Sequence, residues 1–527
     1  MRDSQRVLLL LFLCLTFYLP ALGNRDLWGT VETEYAQVAR ETLQSTSWEG
    51  WLIPHFNGSV YSEKPPLYFW LIALASLPVG DVTEFTARLP SALTALGTVI
   101  LLYLLGKTMY DERVGFLASL TLLSSPEFFR SACMVRIDMP VAFFFTLSVT
   151  GFYMGLASSR RLFFLLGWFS AALCLLTKGP LYPLIIVLTL SLYLASRSEL
   201  HRLKEALTPL DAMVFFATIC SWLIPVYLEE ETYLKNLLNL GRWYLEGSEY
   251  HAESFYFYLP QFLAGMAPWS IFLPVALYLY YSNKNKENGE KENKGGITLP
   301  PLWLLVGLVI FSIITTKHGR YILFLYPAGA LIVAQIWNIY WLKSPSSWPW
   351  KKSVAMLTIA SLLGVEVALF IGGCLPYPFL NLFLVDTGVL IAIYLAYRAL
   401  QIRLLFGSVF LTLTISQGIY YQFLLPLKND IHSEKPLCQK LLNVMEPGTK
   451  WAAFRVYRPA FTYYTKTFPT NILQEERLKA FLSSREKVYC LLAEEDYRRL
   501  KLPAFKLAEF LNPKENHPPY ILVSNKQ

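Results

Sequence analysis

The chain is predicted to be an all-α polytopic membrane protein with a small α/β domain at its C-terminal end. Three observations lead there. Of 527 residues, 54% are hydrophobic and only 16% charged, with a mean hydropathy of +0.38, too apolar for a soluble globular protein. Basic residues stand in short clusters between apolar stretches, as loop-orienting charge does. Hydropathy then falls after Leu425, leaving roughly 100 residues, enough for one small domain. The formal net charge of +8 resides in those loop clusters, so no nucleic-acid partner is expected.

The first apolar segment, Val7 to Leu22, follows Arg2 and Arg6 and lacks a small-x-small cleavage site before Asn24, so it reads as a retained helix. Its flanking arginines place the N-terminus in the cytoplasm and the loop from Asn24 to Lys64 outside. Leu67 to Pro78 is shorter than the roughly 20 residues a crossing needs, and it lies between Pro65-Pro66 and Gly80. It is expected to lie in the outer interface. Leu89 to Gly106 then runs inward and delivers Lys107 and Arg113 to the cytoplasm. Arg160-Arg161, the cluster Arg197, Arg202 and Lys204, the run Lys284 to Lys294, the cluster Lys343, Lys351 and Lys352, and Arg398 with Arg403 follow on the same side. Counting Leu67 to Pro78 as a crossing would misplace every one of them. The result is about thirteen crossings in a membrane domain, residues 1–426, and an external domain, residues 427–527.

The charged tract from Asn283 to Gly296 reads as a solvated cytoplasmic loop. Within the external domain, Trp451 to Tyr457, Val488 to Ala493 and Tyr520 to Val523 read as strands, and Glu475 to Leu482 and Glu494 to Leu500 as helices. Of seven cysteines, Cys14, Cys133, Cys174 and Cys220 fall in apolar spans as small hydrophobes. Cys438 and Cys490 share the external domain and leave a disulfide open. No CxxC or HExxH spacing occurs, so neither a dedicated metal site nor a cofactor is expected.

The outer loops collect the chemistry. Glu32 and Glu34, Tyr61 with Glu63-Lys64 before a rigid Pro-Pro, Arg136-x-Asp138, Arg242 with His251, and Lys317-His318-Gly319-Arg320-Tyr321 all fall on the outer face. Any one charge at the end of an apolar span is as well explained by an interfacial anchor; it is their convergence that marks a site. Lys317 and Arg320 persist where positive charge is disfavoured, and Lys64 is similar. Such cations suit an anionic ligand at membrane level, a lipid phosphate or phosphodiester.

The pattern L-W-x-x-x-E-T-x-Y-A-x-x-A-R-E-x-L, followed by W-L-I-P-H-F-N-G-x-x-Y-x-E-K-P-P-L-Y-F-W-L and A-R-L-P-S-A-L, resembles the C-type membrane glycosyltransferases of glycosyltransferase family 83, lipid A aminoarabinose transferases among them. Residues 135–140, Leu176 to Pro180 and Lys317 to Pro327 extend the match over nearly the whole membrane region. The resemblance implies a C-type glycosyltransferase fold with interfacial helices in the first outer loop. It also implies transfer of a sugar, with inversion, from an undecaprenyl-phosphate carrier to lipid A at the periplasmic face of a bacterial inner membrane. By that resemblance Glu32 and Asp138 take catalytic acid positions. Lys64, Arg242, His251, Lys317, Arg320 and Tyr321 line the carrier-phosphate side, Glu34, Tyr61, Glu63 and Arg136 are further candidates, and Lys178 matches a family motif near the outer end of a span, where a structural ion pair explains it equally well. A monomer is expected. One departure stands out: Val31 occupies the place of the usual family aspartate, and Glu34 that of a commonly basic residue. Transfer of another sugar, a uronic acid or hexose, to lipid or protein is the alternative, as is a lipid-linked-sugar transporter, although neither internal repeats nor broken midplane helices are evident.

Overall fold

A computed structural model describes residues 2–246, 253–274, 298–343, 402–511 and 519–526. The chain divides into two compact units. One comprises Met1–Pro20, Ser62–Tyr68 and Pro90–Tyr420, the other Ala21–Tyr61, Phe69–Leu89 and Tyr421–Gln527.

Among the described residues, six helices are long and apolar enough to cross a membrane: Asp3–Ala21, Glu84–Met109, Asp138–Ser158, Arg161–Lys178, Pro209–Glu229 and Gly319–Ile339. The protein is a multi-pass membrane protein. Leu67–Ser76 is a helix of 10 residues, about 15 Å long at 1.5 Å per residue, half the hydrocarbon thickness of a bilayer. The helix expected from Leu89 begins earlier, at Glu84, and runs 26 residues through Pro90 to Met109.

In the first unit, Asp138–Ser158 and Arg161–Lys178 form an antiparallel hairpin. Ser159 turns the chain with φ of 55°, and small residues let the backbones touch. A Cβ on Gly151 would lie 2.8 Å from the Phe163 carbonyl oxygen and 2.9 Å from the Gly167 nitrogen, so only glycine fits there. Ser148 Oγ donates to the Gly167 carbonyl at 2.8 Å, and Cys174 Sγ approaches the Val141 carbonyl at 3.9 Å. Continued by one more turn, this register brings the first residue of one helix, Asp138, to the last residue of the other, Lys178.

The second unit carries a five-stranded sheet. Its strands follow two of the first-loop hairpin, β1 (His55–Phe56) and β2 (Ser59–Val60), and are β3 (Trp451–Phe454), β4 (Thr470–Ile472), β5 (Tyr489–Ala493), β6 (Phe505–Phe510) and β7 (Tyr520–Ser524). They lie in the order β4-β3-β5-β7-β6, with β3 parallel to β4 and β5, and β7 antiparallel to β5 and β6. The helices Glu475–Leu482 and Glu494–Leu500 fall where the sequence places them. The first strand stops at Phe454 instead of Tyr457 because Arg455 takes φ of 58°, which leaves the extended region.

Alternate side chains of β5 enter different cores. Tyr489 and Leu491 join Leu437, Cys438, Leu441 and Phe461 on one face. Cys490 and Leu492 join Leu478, Leu482 and Val488 on the other. The disulfide left open between Cys438 and Cys490 does not form, because the sheet lies between them, and both are free and buried.

This unit also takes in Ala21–Tyr61 and Phe69–Leu89. The helix Gly29–Gln44 contributes Arg40, which donates from Nε to Asp81 Oδ1 at 2.6 Å, from Nη1 to the Tyr463 carbonyl at 2.7 Å and from Nη2 to the Val82 carbonyl at 2.9 Å. Its guanidinium lies 4.1 Å from the centroid of the Tyr463 ring. Lys466 Nζ reaches the second Asp81 oxygen at 2.7 Å. Burial alone would raise the Asp81 pKa, but Lys466 and Arg40 outweigh it and hold the carboxyl below its ordinary value.

A carboxyl depressed in the folded state contributes stability that is complete above its unfolded value, about pH 4, and lost as pH falls through the folded value. Asp81→Asn is therefore expected to melt below the parent at pH 7, with the difference shrinking in melting curves taken below about pH 4. A difference that does not change with pH would rule this linkage out.

Candidate active site

Asp138 opens its helix, where the positive end of the helix dipole favours an acid, and Lys178 closes the next helix, where the negative end favours a cation. The hairpin register makes them an ion pair through Asp138 Oδ1. Asp138 Oδ2 accepts no hydrogen bond among the described residues, and Arg320 Nε stands 3.6 Å from it. Asp138 is 2% exposed, so the acid is enclosed by cations rather than bathed in water.

Arg320 and Tyr321 come from a 3-10 segment, Gly319–Leu325, that enters the last of the six spans. Lys178 Nζ sits 3.9 Å from the Tyr321 ring centroid and 5.8 Å from that of Tyr182, so two aromatic faces back the ammonium. The Arg320 and Lys64 charges both act on Lys178, which groups three cations in one electrostatic neighbourhood. Tyr233, fully buried, donates to the Lys64 carbonyl at 2.7 Å. Tyr68 bonds Ser91 Oγ at 2.9 Å, and Ser91 in turn receives the Arg136 N–H at 3.2 Å. The Glu63-Lys64-Pro-Pro segment is thereby fastened beside Arg136 and Asp138, and Lys64 Nζ folds back on the Glu63 carbonyl at 3.1 Å.

Lys317 is 5% exposed and donates to the Glu253 carbonyl at 3.0 Å. Burial pushes its ammonium below the ordinary value, with the Glu253 charge acting the other way. The His318 ring stacks edge-on against Tyr321, ring centroids 5.1 Å apart, and the His318 backbone N–H donates to Tyr258 Oη at 3.3 Å. Arg242 falls in the helix Glu231–Glu246, its side chain outside the described set, and His251 lies outside the described residues.

Glu32, Glu34 and Tyr61 belong to the second unit. Glu32 is 2% exposed and lies between Arg25, 2.8 Å away, and Arg88, 3.2 Å away. Burial and the neighbouring Arg88 push the Arg25 guanidinium down, and Glu32 pulls it back. Tyr61 Oη donates to the Glu34 carboxylate.

Sequence reasoning passed over Arg25, Arg88 and Tyr182. Arg88 could have been found as a cation within an apolar stretch of the A-R-L-P-S motif. Tyr182 carried no signal beyond lying four residues after Lys178, across the helix break at Gly179.

A family model described as dolichyl-phosphate-mannose-protein mannosyltransferase matches residues 63–224. An undecaprenyl phosphate-alpha-4-amino-4-deoxy-L-arabinose arabinosyl transferase of Pseudomonas savastanoi pv. phaseolicola is 31% identical over 326 residues, 60% of this chain and 58% of that protein. Its counterpart in Pseudomonas aeruginosa strain UCBPP-PA14 is 29% identical over 318 residues, 58% of this chain and 55% of that protein. The chain thus spans less than two thirds of the length of the curated relatives it matches. Among solved structures, ArnT from Cupriavidus metallidurans bound to undecaprenyl phosphate superposes with a TM-score of 0.81 at 16% identity, covering 99% of this chain and 98% of that one. The Archaeoglobus fulgidus oligosaccharyltransferase in its apo form gives 0.52 at 10% identity, covering 94% and 70%. The chain therefore has the polytopic fold of ArnT, and in sequence it resembles the C-type membrane glycosyltransferases, the undecaprenyl phosphate-aminoarabinose transferases in particular.

Proposed function

We propose that the protein transfers a sugar, aminoarabinose in the first instance, from an undecaprenyl-phosphate carrier to lipid A at the periplasmic face of a bacterial inner membrane. The observation that carries this reading is the Asp138, Lys178, Arg320 and Tyr321 cluster, set at the ends of spans in a chain with the fold of ArnT. The bond from the sugar's anomeric carbon to the carrier oxygen breaks, the electron pair leaves with the carrier phosphate, and an acceptor oxygen attacks from the opposite side. Lys64, Lys317 and Arg320 neutralise the departing phosphate, and Arg242 and His251 are assigned to the same side. Asp138 supplies negative charge to the oxocarbenium-like centre. A phosphate of lipid A is already ionised, so this acceptor needs no general base. That suits a chain with Val31 where an acid is usual and with both expected acids paired to cations.

Radiolabelled carrier-linked sugar and lipid A, incubated with the purified protein, should yield a covalently labelled lipid. Label that changes leaflet with no new product would indicate a transporter. Mass spectrometry of lipid A from cells with and without the protein identifies the sugar, and a hexose or uronic acid there would replace aminoarabinose in this reading.

The orientation belongs to the same proposal: about thirteen crossings, a cytoplasmic N-terminus and residues 427–527 in the periplasm. Single cysteines at Ser62 and Val79, flanking Leu67–Ser76, are expected to react with an impermeant reagent from the same outer side. Labelling from opposite sides would overturn the topology.

A further inference from the structure

At the end of the first unit opposite Asp138 and Lys178, four helix termini meet. Asp138–Ser158 and Leu181–Ser196 finish there, and Arg161–Lys178 and Pro209–Glu229 start there. The connector over residues 197–208 folds across them. Arg202 Nη2 donates to the Leu156 carbonyl at 2.7 Å, Arg161 Nη1 to the Glu205 carbonyl at 2.7 Å and Trp168 Nε1 to the Ala206 carbonyl at 2.5 Å. Arg161 also bonds Thr208 Oγ1 and pairs with the fully buried Asp211.

The charges at this end do not balance. Residues 158–161 and 196–211 hold five arginines and lysines against three acids. Each acid already has a cation: Glu199 has Arg197 at 3.7 Å and Arg202 at 3.5 Å, Glu205 has Arg202 at 3.0 Å, and Asp211 has Arg161. The excess falls on Arg160 and Lys204, which are exposed and pair with none of the three. Arg160 precedes Arg161, and Lys204 precedes the Glu205 whose carbonyl Arg161 holds. The two cations are therefore brought to one patch.

The exposed apolar side chains around them are leucines. Leu200 and Leu207 on the connector and Leu162 and Leu210 in the first turns of two spans are all exposed. A connector in water turns polar side chains outward, whereas this one pairs most of its polar groups inward and presents leucine. It has the character of an element at the boundary of headgroups and acyl chains, with cations at the level of lipid phosphate.

We propose that this end of the bundle is a binding site for an anionic phospholipid, with Arg160 and Lys204 on its phosphate and Leu200 and Leu207 against its acyl chains. A zwitterionic headgroup brings an ammonium of its own, which opposes the excess positive charge; an anionic headgroup neutralises it. The site lies about 30 Å from Asp138, the length of its 21-residue helix. In the orientation proposed above it faces the cytoplasmic leaflet, and it stands whether or not the chain transfers a sugar.

Full-length protein in nanodiscs of phosphatidylcholine, with phosphatidylglycerol added in steps, tests the site through the melting temperature. The parent is expected to melt higher as phosphatidylglycerol is added. Arg160→Gln and Lys204→Gln should each raise the half-maximal phosphatidylglycerol fraction about fivefold, and the double variant about 25-fold. All three should melt like the parent in phosphatidylcholine alone, because neither side chain pairs with the acids around it. Arg113→Gln is the control, an exposed cation at the start of another helix, Glu112–Ser124, and it should respond to phosphatidylglycerol as the parent does. An unchanged response in the double variant overturns the site. An equal loss in Arg113→Gln overturns it as well, since the attraction would then be diffuse surface charge. If inorganic phosphate added to phosphatidylcholine discs reproduces the rise, the ligand is a free anion and the lipid assignment fails. A double variant that does not fold would show these cations to be structural, contrary to the proposal.

Discussion

Asp138→Asn is expected to lower turnover by about two to four orders of magnitude while carrier binding changes little, because the carboxylate acts mainly as charge develops in the transition state. The geometry adds a complication that the experiment must separate. Asp138 is the counter-ion of Lys178, and removing one partner of a buried pair costs about 3–5 kcal/mol. Asp138→Asn should therefore also melt lower. Combining it with Lys178→Met removes the stranded ammonium, so the double variant is expected to regain melting temperature without regaining turnover. If turnover returns along with stability, Asp138 serves only to hold Lys178, and chemistry must be sought elsewhere. Parent-like transfer in the single variant would remove Asp138 from the site altogether.

The second large effect concerns the donor. Lys64→Met is expected to weaken binding of undecaprenyl phosphate by about tenfold to a hundredfold or more, the loss expected for a charge-assisted contact to phosphate. The fold should survive, since Lys64 is half-buried and its segment is held through the backbone and through neighbours. Its carbonyl takes the Tyr233 hydroxyl, and Tyr68 is tied to Ser91. Equilibrium binding of a labelled carrier to parent and variant decides the point. Equal affinity in a variant that melts like the parent would show that Lys64 does not touch the phosphate.

What could be read from the sequence and what could not follow a physical division. Membrane character and the strands and helices near the C-terminus depend on composition and local periodicity, so they were legible. The strand from Trp451 was read too long because a left-handed residue, Arg455, leaves no mark in a run of β-formers. Asp138 and Lys178 were each visible as charges at span ends, but their pairing required the hairpin register, which depends on Gly151 meeting Gly167. Glu32 shows the limit most clearly. Its identity and place in a motif were plain, but whether a carboxylate is available for chemistry depends on partners distant in sequence, here Arg88 in another helix. The same holds for the cysteines. That both lie in the less apolar stretch after Leu425 was legible, and the sheet that separates Cys438 from Cys490 was not.

The hairpin that joins Asp138 to Lys178 also has a meaning in time. The two residues lie at the open end of one antiparallel pair, with Ser159 and Arg160 at its tip, so the acid acquires its counter-ion as soon as the second helix of the pair is made. Arg320 emerges from the ribosome only about 140 residues later, roughly 7 to 30 s at translation rates of about 5–20 residues per second. A lone aspartate in a newly inserted helix would spend that interval as an uncompensated charge, at a cost of up to about 3 kcal/mol in insertion. Because Lys178 arrives first, the growing chain carries a neutral pair through biogenesis, and the second cation joins a membrane helix pair that is already complete.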